Sequence, residues 1–162
     1  MKYLLALLLC LGFSTPSLAK SKSKSKSKSV VNGYFGYGSG GIAVGGDYEM
    51  KLDKVAGWGG YGSYYASSDE GVGGIAAGAF LRQHIRKKGY DFHLTGGFGV
   101  LNLSLPGGES KTAIGPTLGL GGSKKYNKSI SVGFEMTNHY GWFNSPTGLL
   151  INGGLMSLTY KL

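Results

Sequence analysis

The sequence predicts an all-β protein, an eight-stranded antiparallel transmembrane β-barrel, and three observations carry that expectation. From Ile42 to Leu52, Ile42, Val44, Gly46, Tyr48, Met50 and Leu52 interleave with Ala43, Gly45, Asp47, Glu49 and Lys51. A period of two describes a strand with one largely apolar face and one polar face. The pattern returns from Tyr90 to Val100, from Ile130 to Met136 and from Met156 to Leu162. An N-terminal export signal precedes all of it, and alternating strands behind such a signal are the pattern of a barrel that turns one face to lipid.

The elements follow in chain order. Lys2 supplies a positive n-region, Leu4 to Leu11 an apolar stretch and Ser17-Leu18-Ala19 a small-x-small cleavage site, so residues 1–19 read as a signal peptide for Sec export. The apolar stretch is well short of the ~20 residues of a spanning helix. Cys10 lies inside the signal behind Leu9, which argues against lipoprotein processing and leaves the mature chain without a cysteine. Residues 20–29 repeat Lys-Ser five times. Such a segment is too polar and self-repelling to collapse, and reads as a disordered tail. It is expected to serve as a solvated spacer or, alternatively, as a polybasic contact with anionic lipid or cell-wall polymer. Of the formal net charge of +9, Lys2 and the five tail lysines carry six, leaving +3 for the remainder. High basicity is therefore a property of the tail, and no nucleic-acid-binding face is expected.

Residues 30–162 are expected to form one β-barrel domain. Glycine is abundant, proline scarce and aromatics reach 12%, a composition poor for helices. Strands are expected near 30–38, 41–52, 54–65, 72–83, 89–102, 111–122, 129–140 and 149–162, lengths that suit membrane strands of ~9–11 residues. Leu52-Asp53-Lys54, Arg86-Lys87-Lys88-Gly89 and Lys124-Lys125-Tyr126-Asn127-Lys128 read as turns on the periplasmic side, which holds both termini. Ser67-Ser68-Asp69-Glu70-Gly71, Leu105-Pro106-Gly107-Gly108-Glu109 and Gly141 to Gly148 read as outer loops, with a very short first loop around Gly38 to Gly41.

In the last strand Gly154, Met156, Leu158, Tyr160 and Leu162 alternate with Leu155, Ser157, Thr159 and Lys161. This resembles the C-terminal targeting strand of bacterial outer-membrane barrels, which usually ends in Phe or Trp where this chain has Leu162. From Val30 to Leu162 the architecture resembles the small OmpA- and OmpX-type barrels. The resemblance implies a bacterial outer-membrane location, outer-membrane lipid as the surroundings and a monomer.

By strand parity Asp47, Glu49, Lys51, Asp91, His93, Glu135, Thr137, His139 and Lys161 face inward. An eight-stranded barrel is just wide enough for side chains to fill it, so these groups are expected to form a polar plug of paired charges; the rival is a narrow water or proton path. On the fourth strand Phe80 and Arg82 share one side, and Arg82 either pairs inside or snorkels at the membrane edge.

Outer-membrane barrels that remodel lipid A include a deacylase family with a His-x-Ser arrangement and a downstream acid, since a hydroxyl nucleophile needs a base and the base an orienting group. Here His139-Tyr140-Gly141 has glycine at the serine position, and no Asp or Glu follows His139. A lipid A-modifying hydrolase is thus the alternative to a non-enzymatic structural or interaction role. No cofactor is expected. His84, His93 and His139 show no familiar metal-ligand spacing, so no metal site is expected either. Gly36-Tyr37-Gly38-Ser39-Gly40-Gly41 matches G-x-G-x-x-G but precedes a strand and reads as a hairpin turn. Trp58, Tyr61, Tyr64, Tyr65, Tyr140, Trp142 and Phe143 are expected to form interfacial aromatic belts. A soluble secreted β-protein is a third possibility, against which Tyr90, Phe92, Leu94, Phe98 and Val100 present an apolar face that no helix covers.

Overall fold

The computed structural model describes residues 29–68, 71–105, 108–144 and 150–162. The signal and the Lys-Ser tail, apart from Ser29, lie outside the described residues, as do parts of three expected outer loops at 69–70, 106–107 and 145–149. Eight strands follow in order: β1 (Ser29–Gly38), β2 (Gly41–Lys51), β3 (Ala56–Tyr65), β4 (Gly73–Lys87), β5 (Tyr90–Ser104), β6 (Ser110–Lys125), β7 (Ile130–Tyr140) and β8 (Leu150–Lys161). Each pairs antiparallel with the next, and β1 pairs with β8 from Val30↔Lys161 to Gly38↔Gly153, so the sheet is a closed barrel. Closure leaves no unpaired strand edge, the condition for a sheet to sit in lipid.

Local chemistry places the turns. Gly38↔Gly41 closes β1 onto β2 around Ser39-Gly40, so Gly36 to Gly41 is a hairpin, as its sequence predicts. Lys88 (φ 48°) and Gly89 (φ 86°) both adopt the left-handed conformation. Two such residues in succession make the primed turn whose twist matches the flanking strands. As a result β4 runs on to Lys87, paired with Tyr90, and the four-residue turn expected at Arg86 to Gly89 shrinks to two. Asp53 Oδ1 accepts hydrogen bonds from the backbone N–H of Val55 and Ala56 at 2.6 and 2.7 Å, and Asn127 Oδ1 does the same for Ser129 and Ile130. These Asx contacts fix the other two turns on the side where β1 begins and β8 ends.

The exterior is apolar. Phe92, Leu94, Leu118, Leu120, Phe134 and Met156 are all exposed, as are Tyr90, Phe98 and Val100 on the same face. A second protein layer over them is absent among the described residues, and the arrangement is that of a lipid-facing band. Inside, one end of the lumen holds an apolar cluster of Ala43, Tyr65, Ala76, Leu101, Leu103, Ala113, Ile151 and Leu155. The other half holds the charges.

Candidate functional site: a charged lumen

Asp47 and Glu49, two residues apart on β2, and Arg82 on β4 all point inward and are buried. Arg82 is the centre of the network. Its Nη2 lies 2.7 Å from Asp47 Oδ2, its Nη1 donates to Glu49 Oε2 at 3.2 Å, and its Nε donates to Thr95 Oγ1 at 2.9 Å. Glu135 on β7 approaches the same guanidinium to 3.9 Å. The Phe80 ring lies 4.6 Å from the guanidinium carbon, a cation–π contact. Parity thus turns both Phe80 and Arg82 inward and excludes snorkelling for Arg82. A guanidinium suits the place because its planar fork of five donors can serve several acceptors at once.

The network reaches around the barrel. Asp47 accepts from Asn32 Nδ2 at 2.6 Å and from the Tyr34 hydroxyl, while Asn32 Oδ1 accepts from Thr159 on β8. Glu49 Oε1 pairs with His84 Nε2 at 2.9 Å, and His84 Nδ1 lies 2.9 Å from Asp91 Oδ1. Asp91 Oδ2 is held in turn by Arg86 Nε at 2.7 Å. His93 Nε2 pairs with Glu135 Oε2. Buried charges are tolerable only when paired and hydrogen-bonded in this way. Two glycines make the room: a Cβ on Gly57 would stand 2.4 Å from Glu49 Oε1, and one on Gly121 would stand 2.1 Å from Glu135 Oε2 and 2.4 Å from His93 Nε2.

A second, uncharged chain of hydrogen bonds lies toward the apolar end. Tyr61 OH meets Thr117 Oγ1 at 2.6 Å, Thr117 Oγ1 meets His139 Nδ1 at 2.9 Å, and His139 Nε2 meets Tyr65 OH at 2.9 Å. Thr137 Oγ1 completes it at 2.9 Å from Tyr65 OH. Tyr61 and Tyr65 are therefore interior residues and not members of an interfacial belt: the pleat that turns Trp58 and Tyr64 outward turns these two inward. Trp58, Tyr64, Tyr140, Trp142 and Phe143 do face out.

The nine residues expected inside do not all meet. Asp47, Glu49 and Glu135 join Arg82; His93 joins Glu135; His139 belongs to the hydroxyl chain. Asp91 is partly exposed at the open end, and Lys51 and Lys161 line the mouth of a cavity there of about 240 Å³ together with Glu49, Arg82 and His84. The groups not assigned to the network from sequence are Arg82 and His84, with Asn32, Tyr34, Thr95, Arg86 and Thr159 around them. Inward parity with Arg82 was the available signal for His84. The histidines have no familiar metal-ligand spacing in the sequence, and the β4–β5 register nevertheless sets His84 directly opposite His93. Their ring centroids are 5.7 Å apart, and one ligand atom each from His84, Asp91 and His93 lies within 4.8 Å of the others. For the deacylase-like alternative, both ring nitrogens of His139 face hydroxyls of Thr117 and Tyr65, and among the described residues no carboxylate pairs with it.

No protein-family model matches the chain, and no curated protein matches its sequence. Solved structures do match in fold. The N-terminal β-barrel domain of Pseudomonas aeruginosa OprF aligns with a TM-score of 0.63 at 10% identity, over 83% of this chain and 98% of that one. Neisserial surface protein A aligns with a TM-score of 0.57 at 13% identity, over 83% and 95%. A transmembrane β-barrel designed de novo aligns with a TM-score of 0.53 at 15% identity, over 84% and 96%. The closed eight-stranded sheet and its apolar exterior define the class: this is the fold of the small bacterial outer-membrane β-barrels.

Proposed function

We propose that this chain is exported by its N-terminal signal and resides in the bacterial outer membrane as a monomeric, non-enzymatic barrel that anchors a basic periplasmic surface against anionic lipid. The observation that carries the reading is a charge asymmetry. Nine lysines and arginines sit at the end where β1 begins and β8 ends: Lys51 and Lys54, Arg86 to Lys88, Lys124, Lys125 and Lys128, and Lys161. The Lys-Ser repeat precedes β1 at the same end. At the opposite end the described residues include only Lys111, which lies 3.9 Å from Glu109. Lys51, Arg86 and Lys161 face the cavity; for the others, clustered cations beside a bilayer each contribute roughly 1 kcal/mol of attraction to anionic lipid, and long lysine stems can lie along the apolar band while their ammonium groups reach the phosphates.

A lumen closed by Tyr65, Leu101, Ile151 and Leu155, each 0 or 1% exposed, supports an anchoring role over a transport one. The test compares the full mature chain with a deletion of residues 20–28, using sedimentation with phosphatidylglycerol vesicles and with purified peptidoglycan. Vesicle binding that falls with the deletion and weakens steeply between low and physiological salt, as screening over ~8 Å at ~0.15 M requires, supports the reading. Retention on peptidoglycan alone, or salt-insensitive binding, overturns it.

A further inference from the structure

We propose that His84, Asp91 and His93 form a binding site for one divalent transition-metal ion of the borderline class, Zn²⁺ being the representative. The site stands on cross-strand geometry. Asp91 and His93 are two apart on β5 and so share its inward face, while His84 faces His93 from β4. Two imidazoles and a carboxylate are a donor set suited to such ions. A tetrahedral ion at ~2.0–2.1 Å holds its ligands about 3.3 Å apart, so a set spread over no more than 4.8 Å closes by side-chain rotation of roughly 1.5 Å at most.

Two further features are those of a metal centre. Each imidazole already has a carboxylate behind it: Glu49 Oε1 on His84 Nε2, and Glu135 Oε2 on His93 Nε2. Carboxylates in that position fix the tautomer and orientation of a ligating histidine. At His84 the ion would take the place of the proton between Nδ1 and Asp91 Oδ1, which lie 2.9 Å apart, and His93 would offer Nδ1. Arg86 Nε holds Asp91 Oδ2 and so turns Oδ1 toward His84.

The carboxylates of Asp47, Glu49, Asp91 and Glu135 face the guanidiniums of Arg82 and Arg86. Lys51 and Lys161 line the cavity mouth on flexible stems, and the cavity that His84, Asp91 and His93 line gives the ion a path from the aqueous side.

The test uses the barrel purified from outer membranes in detergent, with no affinity tag and after chelator treatment. Calorimetric titration with Zn²⁺ is expected to show one ion per chain. His84→Ala and His93→Ala should each weaken binding at least tenfold, as loss of a ligand must exceed the 10–100-fold effect of losing a supporting group. His139→Gln, which alters the remaining histidine, should leave it unchanged. Each variant is first checked for the heat-dependent gel shift of a folded barrel. His93→Gln and Asp91→Asn replace any variant that does not fold, and the visible absorption of bound Co²⁺ reports the nitrogen–oxygen ligand set in the wild type. Absence of binding up to about 1 mM Zn²⁺, an affinity weaker than ~4 kcal/mol, overturns the proposal. So does binding that survives loss of both His84 and His93, or that falls equally in His139→Gln.

Discussion

Arg82 and Asp47 meet at 2.7 Å with side chains 4% and 1% exposed, joining β4 to β2 across the lumen. The bond runs through the interior, where the intervening strand β3 contributes glycines, so it ties together strands that share no ladder hydrogen bond.

Replacing Arg82 by Met should destabilise the barrel strongly. The change leaves Asp47, Glu49 and Glu135 facing one another without their common cation, and breaking a buried pair from one side costs about 3–5 kcal/mol. Urea unfolding in detergent or lipid measures it. A loss below about 1 kcal/mol would mean that water reaches these carboxylates.

Facing is tested by neighbours. Val132 is outward and exposed, whereas Ser131 is inward and buried. Val132 pairs with Lys124 near the rim, where an outward arginine should cost only ~0–1 kcal/mol, whereas Met136→Arg, in the middle of β7, should cost ~2–4 kcal/mol. Ser131→Arg enters the cavity lining beside Glu49 and Asp91, so its effect should not depend on bilayer thickness. Folding yield in vesicles of two acyl-chain lengths separates them.

Gly121→Ala should disturb the His93–Glu135 pair, because the new methyl would stand 2.1 Å from Glu135 Oε2. Overpacking of this kind costs about 1–3 kcal/mol. Gly96→Ala, with nothing within 4 Å of its added carbon, is the control and should be nearly neutral. Equal unfolding midpoints for the two would show that the pair moves aside freely.

Tyr65 closes the apolar end of the lumen while its hydroxyl serves His139 and Thr137. Tyr65→Phe should cost about 1–3 kcal/mol through the buried partners left unsatisfied. Tyr65→Ala should in addition open the lumen. Planar-bilayer recordings should show little steady conductance for wild type and Tyr65→Phe, and measurable openings for Tyr65→Ala.

The fold was legible because barrel strands announce themselves by period two and their turns by Asp, Asn, Gly and Lys. Strand ends were read short where pairing extends them: Lys87 and Tyr90 continue the ladder around Lys88-Gly89, a gain that depends on a partner strand and not on local sequence. Parity alone brought Asp47, Glu49, His93, Glu135 and His139 inside. It could not rank Phe80 and Arg82, since an aromatic and a cation on one face fit either side of a membrane wall until the neighbouring carboxylates are located. Tyr61 and Tyr65 fit an aromatic belt by their place near a predicted strand end, because tyrosine serves equally as an interfacial anchor and as a buried donor. The meeting of His84 with His93 needs the β4–β5 register, which no spacing within one strand encodes.

The β1–β8 seam joins residues from opposite ends of the described chain, Val30 with Lys161 and Val31 with Tyr160. Until that seam forms, two rows of amide and carbonyl groups have no partner, and each such group costs several kcal/mol in hydrocarbon. A half-inserted sheet is therefore an unstable species, and assembly has to be concerted, with curvature gained before depth. Such a circle of strands has no preferred starting point. A circular permutant reopened at Ser39-Gly40 or Lys88-Gly89, with β8 linked to β1, would meet the same requirement in a different strand order.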